Sequence, residues 1–183
     1  MSNGQLSEAG RNGDSTLGIR ALLAEHEASL LRYALRLTGD AHQARDCVQE
    51  TFLRLCRADA ATVRGHEAAW LYRVCRQRAI DWKRKAIRMQ AVDVHDTACV
   101  DREPPPTDRL QQQEDASAVL AQLSALPKSQ QEVLRLKFQA GLSYREISEA
   151  TELSISNVCF LIHAGLKKIR ERMNANTEVR IDR

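Results

Sequence analysis

Apolar residues in the first part of the chain recur at the spacing of an α-helix. Four of them follow the i, i+3/i+4 rule: Leu23, Leu30, Ala34 and Leu37. Gly39 is expected to end this helix, and Asp40 can cap a second one from about Ala41 to Ala58. A third helix is predicted from about Glu67 to Met89, after a short loop through Gly65. Because no strand-like alternation occurs in this block, we expect it to be helical.

The second predicted helix has two different faces. One stripe is small and mostly apolar, and consists of Ala44, Val48, Thr51 and Leu55. The opposite side is largely charged, and consists of Asp46, Glu50, Leu53, Arg54 and Arg57. The first stripe is therefore predicted to pack in the core, and the second to face outward.

The second half of the chain predicts helices joined by short turns. We expect helices from roughly Asp108 to Leu123 and from about Lys128 to Ala140, the latter closed by Gly141. Ser143-Tyr-Arg-Glu146 is a capping box that begins a short helix ending at Ala150.

A longer helix follows after the turn Thr151–Leu153. Ser154 can cap this helix, which is expected to end near Met173 and carries four basic residues at its far end: Lys167, Lys168, Arg170 and Arg172. This order of elements is typical of a helix-turn-helix, whose second helix enters the DNA major groove. An ordinary helical hairpin is the alternative.

Length and composition exclude several classes of protein. A chain of 183 residues with 28 % charged and 4 % aromatic residues fits one domain or two small helical ones. No apolar stretch is long enough to cross a membrane, and the start of the sequence lacks a secretion signal. We therefore expect a cytoplasmic protein without membrane insertion.

Reactive-site motifs are also missing from the sequence. The five cysteines form no CxxC pair, and the five histidines have no metal-ligand spacing. No common catalytic motif occurs, so we expect no enzyme activity, no catalytic residues, no metal and no cofactor. The cysteines are expected to be reduced thiols, mostly in packing positions.

Charge divides the chain into three blocks. Residues 21–92 carry 13 Lys/Arg against 8 Asp/Glu, residues 93–116 carry 2 against 7, and residues 117–175 carry 8 against 5. The acidic middle block contains Pro104, Pro105 and Pro106, which cannot continue a helix. Two basic domains joined by an acidic linker are therefore predicted.

The third predicted helix combines basic and aromatic residues. Seven Lys or Arg residues fall within sixteen positions, with Trp82 among them and Trp70 shortly before them. Phosphate neutralisation together with base stacking suits single-stranded nucleic acid. Indoles in the core and arginines on a solvated face are the alternative.

Three segments, in this order, resemble one known family. They are TGDAHQARDCVQETFLRL, AAWLYRVCRQRAIDWKRKAIR and ALPKSQQEVLRLKFQAGLSYREISEATELSISNV. Together they are similar to the extracytoplasmic-function (ECF) sigma factors of bacterial RNA polymerase, in the sigma-70 family. The resemblance covers about residues 21–92 and 117–173, and it implies an all-α chain with two small helical domains, the second containing the helix-turn-helix.

The resemblance also implies a division of labour. Residues 19–92 would form the second sigma domain, which binds the β′ clamp helices of core RNA polymerase and melts the minus-ten element. Residues 117–173 would form the fourth sigma domain, which reads the minus-thirty-five element as duplex and touches the β flap. The linker would span 93–116, with flexible tails at 1–18 and 174–183.

Individual positions match the family's functional motifs. Core-polymerase binding is implied for Asp46, Gln49, Glu50 and Leu53. Minus-ten recognition and melting are implied for Arg64, Trp70, Tyr72, Arg73, Arg76, Gln77, Asp81, Arg84 and Lys85. Minus-thirty-five binding is implied for Arg145, Ser156, Asn157, Phe160, His163 and Lys167.

The sequence departs from the family pattern at several positions. Cys159 and Leu161 replace common basic residues in the recognition helix, and Glu152 replaces a common glycine in its turn. Arg45-Asp46 replaces a common acidic pair, which predicts weakened intrinsic affinity for core polymerase.

Control of this weakened interface could come from two kinds of regulator. A Ser/Thr kinase could add negative charge at Thr51, the matching threonine in this helix, although a packed core threonine is the alternative. An anti-sigma protein is the other candidate, and the sequence does not distinguish the two.

Two other functions remain open from the sequence. A helix-turn-helix regulator would share the second half but would need a sensor domain, normally one containing a sheet. A polymerase-binding decoy would share both halves without initiating transcription.

Overall fold

The computed structural model describes residues 6–90 and 120–181, and every regular element in these ranges is an α-helix. The helices are α1 Leu6–Thr38, α2 Ala41–Arg57, α3 Ala60–Val63, α4 Glu67–Gln90, α5 Lys128–Phe138, α6 Tyr144–Thr151 and α7 Ile155–Ile181. Residues 120–124 are also helical. The predicted all-α class is confirmed, and the chain divides into two compact units that we describe separately.

The first unit is built from α1, α2 and α4, each of which packs against the other two. Its core contains Leu30 and Ala34 of α1, Phe52 of α2, and Leu71 and Tyr72 of α4. The rings of Tyr33 and Tyr72 meet edge to face with centroids 5.3 Å apart. The apolar stripe predicted for α2 is buried in full, and Cys47 and Phe52 are buried beside it.

Local capping explains where α2 begins. Gly39 has φ +74°, a left-handed conformation that glycine adopts without strain, and its N–H donates to the Leu35 carbonyl at 2.8 Å. The Asp40 carboxylate then accepts the Gln43 N–H at 2.9 Å, as the sequence predicts for an N-cap.

The connection between α2 and α4, predicted to be a loop, contains a helical turn. Asp59 caps α3 by accepting the Ala61 N–H at 3.0 Å, which favours this turn. At the other end, the Gly65 N–H donates to the Glu67 carboxylate at 3.0 Å. That hydrogen bond lowers the pKa of Glu67 by stabilising its charged form.

Two helices extend into the segments predicted to be tails. Helix α1 begins at Leu6, within the predicted tail 1–18, and α7 continues to Ile181, within the predicted tail 174–183. Neither helix contains a proline, which would have broken the helix. The predicted linker 93–116 lies outside the described residues, as does most of the helix expected from Asp108 to Leu123.

The second unit packs α5 against α7. Its core includes Val133 and Leu136 of α5, Ile147 of α6, and Val158 and Ile162 of α7. Helices α5 and α7 approach each other closely at Gly165. A Cβ placed on this residue would lie only 2.8 Å from Cδ1 of Leu134. Glycine at this position therefore permits the close approach.

The connections of the second unit follow the predicted helix-turn-helix. Helix α5 ends at Phe138, two residues before the predicted end, and Gly141 takes a left-handed φ of +73° in the turn that follows. Both hydrogen bonds of the predicted capping box are present between Ser143 and Glu146. Glu152 adopts φ +62° between α6 and α7, and the Ser154 hydroxyl accepts the Asn157 N–H at 3.2 Å.

None of the described helices has enough length and apolar character for a membrane span.

Candidate binding surfaces

The outward face of α2 brings together the four residues predicted to bind core polymerase. Asp46, Gln49 and Leu53 are exposed, and Glu50 is half-buried. Leu53 retains 49 % of its surface. The Glu50 carboxylate accepts a hydrogen bond from Nε of Arg54 at 3.1 Å. The face is therefore an exposed apolar residue surrounded by polar groups, with one carboxylate partly neutralised.

Thr51 lies on the opposite face of α2 and is not a surface phosphoacceptor in this structure. Its exposure is 0 %, and its hydroxyl donates to the Cys47 carbonyl at 2.7 Å. The neighbouring Cys75 is also enclosed. Burial raises the pKa of the Cys75 thiol to about 12, Cys47 adds to the rise, and the polar Thr51 hydroxyl beside it opposes the rise. The structure thus supports the alternative of a packed core threonine.

One stripe of α4 collects most of the residues predicted to act on the minus-ten element. In a helix, the residues three, seven, eleven and fourteen positions after Trp70 lie on the same side as Trp70. That spacing joins the half-buried Trp70 and Arg73 to three exposed side chains: Gln77, Asp81 and Arg84. Lys85 is exposed beside this stripe, and Arg76 is half-buried at its edge. Arg64, at the end of α3, is exposed as well.

Tyr72 does not belong to this stripe, and its side chain is not accessible for the predicted contact with DNA. It is 0 % exposed, and its ring packs on Tyr33 in the core. Two residues correspond to about 200° on a helix, so Tyr72 must face nearly opposite to Trp70. The helical repeat was the signal in the sequence that could have separated the two aromatic residues.

Trp82 lies on a third side of α4, next to a small hollow against α2. The hollow has a volume of about 120 Å³ and is lined by Gln43, Asp46, Cys47, Arg78, Asp81, Trp82 and Lys85. Burial raises the pKa of the Cys47 thiol, although Arg78 opposes this effect. Cys47 is therefore a neutral thiol at neutral pH, as expected for a packing cysteine.

The outward face of α7 contains all five of its residues predicted to bind the minus-thirty-five element. They are all exposed: Ser156, Asn157, Phe160, His163 and Lys167. Arg145 is exposed on α6. The buried Val158 and Ile162 occupy the opposite face of α7, so the helix has one side for packing and one side available for a ligand.

Metal binding has no support in the described ranges. Within residues 6–90 and 120–181, no three His, Cys, Asp or Glu side chains are grouped so that they could hold a metal ion.

Comparisons with known sequences agree with this two-unit arrangement. Residues 22–89 match the family Sigma-70 region 2, and residues 116–169 match Sigma-70, region 4. The chain is 33 % identical over 156 residues to the ECF RNA polymerase sigma factor SigL of Mycobacterium tuberculosis, covering 83 % of this chain and 86 % of that protein. It is 29 % identical over 163 residues to the ECF sigma factor SigX of Bacillus subtilis, covering 86 % and 84 %.

Solved structures show the same fold. The sigma factor RpoE of Bartonella quintana, in complex with the anti-sigma factor NepR, superposes with a TM-score of 0.64 at 20 % identity, over 86 % of this chain and 97 % of that one. CnrH, in complex with the cytosolic domain of CnrY, superposes with a TM-score of 0.56 at 21 % identity, over 87 % and 90 %.

The chain belongs to the ECF sigma factors of the sigma-70 family. It is an alternative sigma factor that binds core RNA polymerase and promoter DNA and directs transcription initiation. This family is not a family of enzymes.

Proposed function

We propose that this sigma factor divides initiation among three surfaces. The outward face of α2 binds the β′ clamp helices, the stripe on α4 together with Arg64 melts and holds the minus-ten element, and α7 reads the minus-thirty-five duplex. In this proposal residues 19–92 and 117–173 are the second and fourth sigma domains, joined by the linker 93–116. The fourth domain also touches the β flap, and the protein acts in the cytoplasm, where the polymerase is.

The exposed Leu53 is the observation that carries the assignment for α2. An apolar side chain with a polar rim is the usual composition of a protein-binding surface, and a few such residues supply most of the binding energy. Asp46 and Gln49 provide that rim, and both are exposed. The Glu50–Arg54 pair would have to open, or be shared, before the Glu50 carboxylate could contact a polymerase cation.

The α4 stripe supports strand separation. Trp70 provides a ring that is only half-buried, and Arg73 and Arg84 provide cations along the same side. A ring for stacking beside cations for phosphates favours single-stranded DNA over duplex. Asp81 reduces this positive potential through its 4.0 Å ion pair with Arg84, although such an exposed pair contributes little energy.

Regulation by an anti-sigma protein has better support than regulation by a kinase. Two sigma factors with this fold were solved in complexes, one with the anti-sigma factor NepR and one with the cytosolic domain of CnrY. The kinase hypothesis requires local opening of the first unit, because Thr51 is buried.

Assembly with core polymerase tests the proposal. The variant Asp46→Ala/Leu53→Ala should bind core RNA polymerase at least about tenfold more weakly, the loss expected when a central contact is removed. Its thermal unfolding should match that of the parent, because both side chains are exposed. Leu23→Ala is the matched control, since Leu23 is an exposed leucine of the same unit on α1.

Run-off transcription with the parent chain separates the remaining alternatives. Transcripts from promoter DNA establish initiation. Stable binding to core polymerase without any transcript would instead establish a decoy. Unchanged assembly of the double variant would contradict the assignment of the α2 face.

A further inference from the structure

The outward face of α7 combines an exposed aromatic ring with short polar side chains. Ser156, Phe160 and His163 follow the i, i+4, i+7 spacing and therefore share one stripe. Phe160 keeps 67 % of its surface exposed, the largest fraction among the large apolar residues of the described chain. Asn157 is exposed next to this stripe. Because Val158 and Ile162 fill the opposite face, packing within the unit does not explain the position of Phe160.

The first three turns of α7 lack the residues that most often read guanine. No Lys or Arg occurs from Ile155 to Leu166, and the first Lys or Arg of the helix is Lys167. Guanine is read mainly by Arg or Lys, adenine by Asn or Gln, and the thymine methyl by apolar contact. The part of the helix that enters the groove can therefore read adenine through Asn157 and thymine through Phe160.

We propose that Phe160 determines base specificity by contacting the C5-methyl group of a thymine in the minus-thirty-five element. This inference rests on the proposed function, in which α7 enters the major groove. Asn157 reads an adenine at a neighbouring base pair. The two residues are three positions apart, about 4.5 Å along the helix axis, which is close to the roughly 3.4 Å rise between base pairs. The element is therefore expected to contain an adenine next to a thymine.

Replacing thymine by deoxyuridine tests this contact, because it removes one methyl group and preserves base pairing. The full chain, assembled with core RNA polymerase, first selects its preferred duplex from a library with random base pairs in the minus-thirty-five window. Each thymine of the selected duplex is then replaced in turn, and affinity is measured by competition. At one thymine the replacement should weaken binding about fourfold, the equivalent of one buried methyl group.

Two variants make the test specific to Phe160. In Phe160→Ala, the same replacement should have almost no effect, because the apolar partner of the methyl group is gone. Phe138→Ala is the matched control: Phe138 is 64 % exposed, lies at the end of α5, and should leave the fourfold effect unchanged. Circular dichroism melting verifies that both variants are folded.

The outcomes separate this inference from the proposed function. A penalty for deoxyuridine that persists in Phe160→Ala, or that is absent at every thymine of a tightly bound duplex, overturns the inference and leaves duplex reading intact. Failure of the parent chain to select any duplex overturns both. Weaker core-polymerase binding by Phe160→Ala, with the methyl effect retained in the complex that still forms, would assign Phe160 to a protein contact and overturn the inference.

Discussion

At Thr51, the hypothesis of phosphorylation by a kinase conflicts with the packing of the core. A phosphate on this side chain would place nearly two negative charges among Cys47, Cys75 and the facing helix. Burying an ionised group without a partner is strongly unfavourable, so the modification could not be accommodated in the folded unit. Its hydroxyl already has an acceptor in the Cys47 carbonyl.

Thr51→Glu is therefore expected to destabilise the first unit instead of activating the protein. We expect a loss of at least about 3 kcal/mol in the free energy of unfolding, measured by urea denaturation, together with lower transcription. Thr51→Val has nearly the same size and loses only the hydroxyl hydrogen bond, so it should cost about 1 kcal/mol. A Thr51→Glu protein with parental stability and increased transcription would contradict the core assignment and restore phosphorylation as a mechanism.

The sequence alone predicts which face of a helix a residue lies on for α2 but not for all of α4. The buried stripe of α2 is predicted correctly from the sequence, because its small and apolar residues recur at the spacing of one helix face. The DNA-binding residues of α4 rest instead on matches to the family's motif positions, which do not tell on which face of the helix a residue lies. The predicted DNA contact of Tyr72 therefore conflicts with its place in the core beside Tyr33.

At the scale of elements, polar caps were the most reliable signal. Asp40, Ser143 and Ser154 each accept the backbone N–H that the sequence predicts, so the beginnings of α2, α6 and α7 could be predicted to within one residue. The outer ends of α1 and α7 carry no such signal. These ends depend on how far helical propensity continues along the chain. The spacing of apolar core residues does not predict that length, because the outer segments contribute little to the core.

The turn between α6 and α7 holds strain that a substitution can release. Glu152 is the one non-glycine residue with positive φ in the described ranges, and a side chain in this conformation costs about 1 kcal/mol. Glu152→Gly should therefore raise the free energy of unfolding of the second unit by about 0.5–1 kcal/mol, measured by urea denaturation. Glu152→Ala is the control, because it removes the carboxylate and keeps the Cβ. Equal gains in both variants would show that the carboxylate, and not the backbone, is the source of the strain.

At the scale of the whole chain, the charge pattern predicts how strongly the protein binds DNA without regard to sequence. The net charge of +3 combines two basic blocks with the seven acids of residues 93–116. These acids reduce the attraction between the whole molecule and the phosphate backbone.

Neutralising those seven acids, Asp to Asn and Glu to Gln, should strengthen binding to random-sequence duplex. We expect about a tenfold gain at low salt that disappears as the Debye length falls below about 4 Å. A control that exchanges Asp and Glu at the same positions preserves the charge and should bind like the parent. Fluorescence anisotropy over a salt series measures both variants, and a gain that persists at high salt would contradict an electrostatic origin.

Both tryptophans of the chain lie on α4, whereas the second unit contains none. Light absorbed and emitted by indole therefore reports only on the unit assigned to strand separation. Trp70, half-buried on the outward stripe, would change its emission when a base stacks on it, and Trp82 would respond to changes in the hollow beside α2. In the isolated chain, indole emission can thus report the binding of single-stranded DNA to the first unit separately from the binding of duplex to the second.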